Sequence, residues 1–506
     1  MVQTKTESLG ERMSTVKRNY NFISKLCAAV ITSCVSLASV AQTDRLDLPD
    51  MGASADTVLS RAEEAEYAKA LVRQMRAYEV LNEDPLINAY FEDMGYRLAS
   101  HSDRPDKPFT FVVINQDVVN AFAAPGGVVA LFSGLILAAD DESEIAAVLA
   151  HEIAHITQQH LYRAMESQQA MTIPIALAML GLILLGGGGG EAIQGALMGG
   201  QAAAIQAQIY FTRQNETEAD RIGIQTMSLA GYDPVGMGEF FEKMGRITRS
   251  MGEGPPEYLR THPVSVSRIT EAKNRVENLP APAPSNSREF YMVQARLRAM
   301  IEEYPDTALE WFNHRLKRAD VSQTESDALY YGSAIALQRK GDYVEARKML
   351  ESLMARDQHM AYELQLADLD LDSDKDGAAL DRLGGLYHSF PGNRAIAMQY
   401  GNALLKNSDP DQAETAGVIL RQQLLINPRD PVLHELYGRA SNIAGDSIRA
   451  KESMAESYYL RGDIHESALQ LQKLIELEDL DYYERARITD RLNELREELT
   501  QLELNR

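Results

Sequence analysis

Helical spacing of apolar residues dominates this chain, and one short β-rich stretch interrupts it. Over residues 62–100 apolar side chains recur every three or four positions among charged ones, which predicts helix with a break or a new first turn at Pro85. Residues 109–114 and 128–132 are rich in β-branched and aromatic types and predict two buried strands. Pro-Gly-Gly at 125–127 predicts a turn between them. The pattern therefore predicts a mainly α-helical fold with a small sheet near its start.

The second half of the chain repeats a helix–turn–helix pattern. Gly341-Asp342 precedes a helical segment, and Gly445-Asp446 does so again 104 residues later (445 − 341), close to three periods of about 34 residues. That period is typical of tetratricopeptide repeats, whose helix pairs stack into a solenoid with a concave face that binds polypeptide. We expect about four repeats and a terminal helix. An irregular helical bundle is the alternative.

The N-terminus has the pattern of an export signal. An apolar run of 15 residues (26–40) follows three basic residues, Lys17, Arg18 and Lys25. A small-x-small cleavage site ends at Ala41, so residues 1–41 are predicted to be a signal peptide. A membrane anchor is an alternative, although the run is short for one. Lipoprotein processing at Cys34 is another, and both cysteines of the chain precede the cleavage site.

Composition also marks the domain boundaries. Residues 279–288 are rich in proline, alanine and serine and predict a linker. They would separate a first domain, residues 42–278, from a repeat domain, residues 289–506.

Charge and hydropathy narrow the partners. The formal net charge is −23 at pH 7, and the sequence has no basic stripe that could bind phosphates. We therefore expect no nucleic acid among the partners. Residues 171–190 contain no charge, yet their strongly apolar part, residues 173–185, spans only about 20 Å as a helix against a membrane core of about 30 Å. We therefore expect a lid or a hairpin that contacts a membrane surface. A membrane span and a buried core helix are the alternatives.

The motif His-Glu-Ile-Ala-His at residues 151–155 carries recognisable chemistry. It lies in a predicted helix that Asp140 or Asp141 can cap and that no glycine or proline interrupts. His151 and His155 then project from one face and can bind one zinc ion, while Glu152 can take a proton from the attacking water. The alternatives are two ordinary surface histidines or a chance match. The strands just before this helix would offer a sheet edge to an extended peptide, with Gly-Gly allowing close approach.

Two later segments add candidate ligands. In a helix predicted to start near Arg213, Glu216 and Asp220 share one face. A catalytic zinc site uses three protein ligands and leaves one position for water, so Glu216 can be the third, and Asp220 can orient a ligand histidine. The alternative is a solvated acidic helix face. His262 precedes a proline in a predicted loop, where a lone histidine is usually structural.

Together these segments resemble a known family. The segments 151–155, 215–221 (Asn-Glu-Thr-Glu-Ala-Asp-Arg) and 261–268 (Thr-His-Pro-Val-Ser-Val-Ser-Arg) are similar to motifs of the gluzincin metallopeptidases, which include HtpX and the CAAX prenyl proteases. Asn-Ala-Phe-Ala-Ala-Pro-Gly-Gly at 120–127 also looks like that family. With the export signal and the repeats, the chain resembles its periplasmic subgroup, the beta-barrel assembly-enhancing proteases.

The resemblance implies a zincin-type α+β metalloprotease domain with a small sheet, followed by an α-helical tetratricopeptide-like solenoid. It implies one Zn²⁺ per subunit, with His151, His155 and Glu216 as its ligands. Glu152 would be the general base, and Asp220 would assist catalysis by orienting a ligand.

Two further residues take roles from the resemblance. His262 matches a histidine that is thought to approach the zinc and switch the enzyme off, and that in the open state could stabilise the oxyanion. Arg268 matches the basic residue that follows, and we expect it to support the transition state or the structure.

The implied function is a periplasmic zinc metalloendopeptidase in outer-membrane protein quality control. Its partners would be unfolded or stalled outer-membrane β-barrel proteins, held by the repeats, and the barrel-assembly machinery. One alternative is a periplasmic chaperone or scaffold whose zinc site is mostly latent. Another is an integral membrane protease anchored by residues 171–190.

Overall fold

Helices make up most of the computed structural model, which describes residues 60–166, 213–251, 256–277, 279, 287–477 and 480–504. The predicted signal peptide, Cys34, the apolar segment 171–190 and most of the predicted linker lie outside these residues. Within the described ranges, no helix combines the length and the apolar character that a membrane crossing requires. Ala65–Gln158 and Gln214–Leu495 together form one compact unit.

The described part of the first half contains nine helices and three strands. In chain order they are α1 (Arg61–Ala77), α2 (Pro85–Ser100), β1 (Thr110–Ile114), β2 (Ala121–Ala124), β3 (Val128–Phe132), α3 (Ser133–Ala138), α4 (Glu142–Thr157), α5 (His160–Glu166), α6 (Arg213–Ala230), α7 (Val235–Met251), α8 (Glu257–Thr261) and α9 (Val266–Val276). The predicted helical region 62–100 is thus two helices separated by residues 78–84, and the second begins at Pro85, as the sequence indicated.

The three strands form one sheet in the order β1-β3-β2, with β2 at an edge. Thr110 lies opposite Val128 in the parallel pair β1–β3, and Ala121 lies opposite Leu131 in the antiparallel pair β2–β3. The sequence predicted only a turn between two strands, so β2 is an addition. Gly126 and Gly127 adopt φ of 74° and 82°, which confines the turn to three residues and leaves residues 121–124 free to pair.

The glycine at position 127 is explained by the turn itself, which the sequence predicted alongside the close approach of a substrate. A Cβ at this position would lie 1.9 Å from the carbonyl oxygen of Pro108. The close approach that this glycine permits is therefore to the chain's own backbone, and the substrate-approach interpretation is not needed to explain it.

The core of the first half forms around α4. This helix packs against α2, α7 and the sheet, and its apolar residues join a buried cluster that includes Ile87, Phe91, Leu131 and Phe240. Each such fully buried side chain contributes about 1.5–3 kcal/mol relative to exposure. The helix that carries the His-Glu-Ile-Ala-His motif is therefore held on several sides.

The second half consists of helix pairs. The described residues contain α10 (Arg288–Ile301) with α11 (Pro305–Leu316), α12 (Gln323–Lys340) with α13 (Tyr343–Arg356), α14 (Met360–Asp372) with α15 (Asp376–Ser389), α16 (Arg394–Leu404) with α17 (Pro410–Ile426), α18 (Pro431–Ile443) with α19 (Ser447–Leu460), and α20 (Ile464–Ile475) with α21 (Tyr482–Leu504). Successive pairs begin 35, 37, 34, 37 and 33 residues apart, from the starts at 288, 323, 360, 394, 431 and 464. These six described pairs exceed the about four expected from the tetratricopeptide period.

Four of the pairs, α12–α13 to α18–α19, contain a left-handed residue at the turn between their two helices, and the two additional pairs lie at the ends of the array. Gly341 and Gly445 have φ of 91° and 90°, and Asp374 and Ser408 adopt φ of 55° at the equivalent turns. Glycine takes this conformation freely, whereas other residues do so at a cost of roughly 1–2 kcal/mol. These four pairs agree in number with the repeats expected, and α10–α11 and α20–α21 are additional.

A buried ion pair joins the first repeat helix, α10, to the start of α2. Arg296 Nη2 and Nε donate to Asp84 Oδ2 at 2.7 and 2.9 Å, and its Nη1 donates to Tyr331 and Gln365. The other oxygen, Asp84 Oδ1, caps α2 by accepting two backbone N–H groups at 3.1 Å. One carboxylate is therefore both a helix cap and the counterion of a buried arginine.

The adjacent residue, Glu83, contacts a later part of the repeats. Arg461 Nη1, in the turn before α20, lies 2.6 Å from Glu83 Oε1. At the next residue, Gly462, a Cβ would lie 2.6 Å from the Cβ of Ala77 at the end of α1. Both the first pair and the turn that leads to the last pair therefore contact the short segment that joins α1 to α2.

We predict that Asp84→Asn lowers the free energy of unfolding by about 3 kcal/mol, because Arg296 then stays buried without its counterion. Asparagine caps helices as well as aspartate, so the substitution removes only the charge. Urea unfolding followed by the fluorescence of Trp311, the single tryptophan, measures the change.

Asp409→Asn is the matched control. Asp409 also precedes a proline and caps a helix, α17, by accepting two backbone N–H groups at 2.9 and 3.2 Å. We expect a loss below about 0.5 kcal/mol there. Equal losses at both positions would contradict the role of the ion pair.

Candidate metal centre

Helix α4 is defined by its own sequence and by its surroundings. Asp141 Oδ1 caps it by accepting the backbone N–H groups of Ser143 and Glu144 at 2.8 and 3.2 Å, which is one of the two predicted caps. Its residues are buried on nearly every side. His151 and His155, which are 0% and 4% exposed, project from one face as their spacing predicted.

Helix α6 places Glu216 and Asp220 against these histidines. Both carboxylates are buried, at 2% and 6% exposure, so the solvated-face interpretation is wrong for them. Gly223 permits the approach, since a Cβ there would lie 3.3 Å from the backbone nitrogen of His151. A larger residue at 223 would push α6 away from α4.

The nitrogen and oxygen atoms of four side chains converge on one point. His151 Nε2 lies 3.0 Å from His155 Nε2 and 3.6 Å from Glu216 Oε2, and His155 Nε2 lies 3.5 Å from Glu216 Oε1. His262 Nδ1 is the fourth atom, 3.3 Å from His151 Nε2 and 3.1 Å from Glu216 Oε1. All four residues are buried, and their ligand atoms lie within 4.8 Å of one another.

This donor set fits zinc. In a tetrahedron with metal–ligand bonds of about 2.0–2.1 Å, the ligand atoms are about 3.3 Å apart. The separations of 3.0–3.6 Å among the converging atoms agree with that edge. Imidazole nitrogen and carboxylate oxygen are ligands that Zn²⁺ accepts, and the set with His262 would fill all four positions.

Asp220 and Arg268 form a second layer behind the ligands. His151 Nδ1 lies 3.0 Å from Asp220 Oδ1, close enough to donate its proton and leave Nε2 for a metal. Arg268 donates to both oxygens of Asp220, each at 2.7 Å, and its Nη1 lies 2.8 Å from Glu216 Oε2. The sequence paired Asp220 with the ligands but gave no contact for Arg268.

Charges in this buried space shift the pKa values strongly. Burial disfavours protonation of His151, but Asp220 and Glu216 outweigh it and raise its pKa to about 9. Burial raises the pKa of Glu216, yet His262 and His151 outweigh it and hold it well below its ordinary value. A metal therefore competes with a proton for His151 and meets an ionised Glu216.

Glu152 lies beside the converging ligands. It is 1% exposed, and its Oε1 is 3.5 Å from His262 Nε2. Burial raises its pKa, which suits a general base, while His262, His151 and the backbone N–H of Ala123 act in the opposite direction. Because Ala123 belongs to β2, this carboxylate lies next to the edge of the sheet that the described residues form.

Tyr258 and Phe241 are site residues that the sequence analysis missed. The ring of Tyr258 packs over His262 with centroids 4.8 Å apart, and the guanidinium of Arg268 lies 4.7 Å from the ring centroid of Phe241. Tyr258 precedes His262 by four residues, a spacing that could have suggested a contact within the short helix α8. The contact with Phe241 has no local signal, because 27 residues (268 − 241) separate the partners.

Comparison with known proteins finds a family match that spans all three segments carrying the converging ligands. Residues 77–276 match peptidase family M48. The Escherichia coli K12 beta-barrel assembly-enhancing protease is 35% identical over 483 residues, which cover 94% of this chain and 96% of that protein. The Yersinia pestis beta-barrel assembly-enhancing protease is 34% identical over 450 residues, 89% of this chain and 91% of that protein.

A third relative matches the first half alone. The mitochondrial metalloendopeptidase OMA1 of Saccharomyces cerevisiae is 36% identical over 153 residues, which cover 30% of this chain and 41% of that protein.

We predict that Glu216→Gln lowers zinc affinity by at least about tenfold, because a neutral amide replaces an ionised ligand. Metal content after dialysis against buffered zinc, measured by atomic emission, tests this. Glu218→Gln is the control: it lies two residues along the same helix and therefore faces another direction. Equal zinc content in all three proteins would remove Glu216 from the ligand set.

Proposed function

We propose a function for this chain on the basis of its family. The chain belongs to the beta-barrel assembly-enhancing proteases and is a peptidase family M48 metalloendopeptidase with an intact His151/His155/Glu216 metal site. The proposal is that it is a zinc-dependent endopeptidase of the periplasm whose site is held closed at rest. It would act in quality control of outer-membrane β-barrel proteins.

One observation carries the proposal: three ligands of a catalytic zinc site lie beside a buried glutamate and an edge strand. Catalytic zinc sites combine three protein ligands with a fourth position for water or substrate. Zinc, when bound, polarises the scissile carbonyl and makes water acidic near neutral pH. The residues around it must then move protons and hold the peptide.

Glu152 is positioned to move the protons. Its carboxylate would accept a proton from the attacking water and deliver it to the leaving amine. Asp220 would keep the Nδ1 proton of His151 in place, at the 3.0 Å separation, so that Nε2 stays a ligand. Strand β2, which has no partner on its outer side among the described residues, would accept the peptide as an additional antiparallel or parallel strand.

His262 explains why the resting site would be closed. Its Nδ1 would fill the fourth ligand position of a bound zinc, and its Nε2 lies 3.5 Å from Glu152. In this arrangement neither the fourth position nor the base is available to a substrate. Proteolysis therefore requires His262 to move, after which the same side chain could stabilise the oxyanion.

The cellular role follows from the relatives and the N-terminus. The relatives that match over most of the chain are named for β-barrel assembly, and residues 1–41 have the pattern of an export signal. We propose stalled or unfolded outer-membrane β-barrel proteins as clients and the barrel-assembly machinery as partner. The helix pairs of residues 288–504 would hold the client.

The closed site also favours a second candidate, a chaperone or scaffold whose peptidase is mostly latent. Both candidates use the same repeats for client binding. Complementation of a strain that lacks its own member of the family separates them. A Glu152→Gln protein that restores full outer-membrane integrity would support the scaffold, and one that restores none would support the protease.

We predict that Glu152→Gln lowers cleavage of casein by at least about a hundredfold, because it removes the proton acceptor. Zinc content should stay equal to wild type, since Glu152 is not one of the four converging ligands. Retained proteolysis in a purified, zinc-loaded Glu152→Gln protein would overturn the assignment of the base.

We predict that His262→Ala raises basal casein cleavage several-fold, because the fourth position becomes available to water. A rate measured per bound zinc corrects for any loss of metal that the missing donor causes. Unchanged or lower activity per zinc would contradict the closed resting state.

A further inference from the structure

Arg268 contacts three separate parts of the metal centre through one guanidinium. Its Nε and Nη2 hold the two oxygens of Asp220, each at 2.7 Å. Its Nη1 lies 2.8 Å from Glu216 Oε2 and donates at 2.8 Å to the backbone carbonyl of Pro263. Arginine alone among the side chains offers five donors in a fixed fork, and this site uses donors on all three nitrogens.

The contact with Pro263 reaches the segment that positions His262. Pro263 is the next residue after His262, so the position of its carbonyl is tied to the position of the His262 backbone. The segment has a second anchor on its other side, where the N–H of His262 donates to the Tyr258 carbonyl at 2.8 Å. Anchors on both sides fix the backbone that presents the His262 ring to the ligands.

The guanidinium itself is held firmly. It is part of a side chain that is 6% exposed, and it lies against the ring of Phe241 at 4.7 Å. Its own helix, α9, begins at Ser265, whose hydroxyl accepts the backbone N–H of Arg268 at 3.3 Å. The guanidinium is therefore fixed in position between α6, which carries Glu216, and the segment that carries His262, and it contacts both.

We propose that Arg268 is the positioning residue that sets the balance between the closed and open states of the metal centre. Its Nη1 contacts both the ligand Glu216 and the Pro263 carbonyl. The guanidinium that orients the ligands therefore also holds the His262 segment by a hydrogen bond. Opening breaks the Nη1–Pro263 hydrogen bond, while Nε and Nη2 keep their hold on Asp220. This role rests on the closed resting state described under the proposed function.

The size of the effect follows from the kind of bond. A hydrogen bond to a charged donor corresponds to a shift of roughly ten- to a hundredfold in an equilibrium. Lysine at 268 keeps a positive charge for the two carboxylates, but a single nitrogen cannot hold Asp220 and also reach Pro263. Arg268→Lys should therefore favour the open state without removing the charge.

The test compares cobalt-substituted full-length proteins by visible absorption spectroscopy, which reports the ligands of Co²⁺ in the zinc site. We expect the spectrum of Arg268→Lys to differ from wild type and to match that of His262→Ala, with Co²⁺ still bound. Basal casein cleavage per metal should rise, by no more than the several-fold increase expected for His262→Ala, because both variants release the same segment. The double variant with His262→Ala should add nothing to His262→Ala alone, because both act on one step.

Phe241→Leu is the second variant, because it removes the ring under the guanidinium and keeps every donor and acceptor. We expect a smaller change in the same direction. The proposal would be overturned by a wild-type spectrum for Arg268→Lys or by additive effects in the double variant. Loss of Co²⁺ from Arg268→Lys would also overturn it, because the residue would then support metal binding.

The spectra also separate this inference from the proposed function. If none of the proteins cleaves casein but the Arg268→Lys spectrum still matches that of His262→Ala, the peptidase assignment fails and the positioning role stands. If His262→Ala cleaves faster and Arg268→Lys keeps the wild-type spectrum, the positioning role fails and the peptidase assignment stands.

Discussion

Charge balance at a buried centre is the constraint on which this structure depends. Glu152, Glu216, Asp220 and Arg268 are each 6% exposed or less. Three carboxylates and one guanidinium sum to a formal charge of −2 (1 − 3) when all are ionised, and such a charge is costly to bury uncompensated. A divalent cation would bring the sum to zero. The centre is therefore built for a metal as much by its charge as by its distances, and metal binding would contribute to the stability of the fold.

Because the buried groups lie so close together, the position of the His262 side chain affects both the fourth ligand position and the base Glu152. His262 lies between the ligand cluster and Glu152, so a single displacement would free both the fourth position and the base. The elements that hold His262 are local: α8 ends at it, Tyr258 packs on its ring and Arg268 holds the next carbonyl. Control of the site thus needs no large rearrangement of α4 or α6, which the core keeps fixed.

Short-range sequence patterns predicted much of the fold and of the site. Contacts between residues far apart in the sequence could not be predicted from such patterns. His151, His155, Glu216 and Asp220 were predictable, because a helix turns spacing into a shared face. Strand β2 was missed, since alanines in an Ala-Phe-Ala-Ala run carry little strand preference and its pairing with β3 decides the matter. The left-handed turns at Asp374 and Ser408 carry no Gly-Asp signal, because they adopt a glycine conformation without glycine. The contacts of Arg268 with Asp220 span 48 residues and leave no trace in sequence spacing.

The segment between α1 and α2 has a consequence for how the repeats come apart. In a repeat array each unit contacts mainly its neighbours, so terminal units fray before the interior does. Here Asp84 holds Arg296 in the first pair, and Glu83 meets Arg461 at the entry to the last. Fraying at either end therefore disturbs two consecutive residues that also start α2, a helix packed on α4. Cooperativity in this chain does not run only from repeat to repeat, because it also passes through the helix beside the metal ligands.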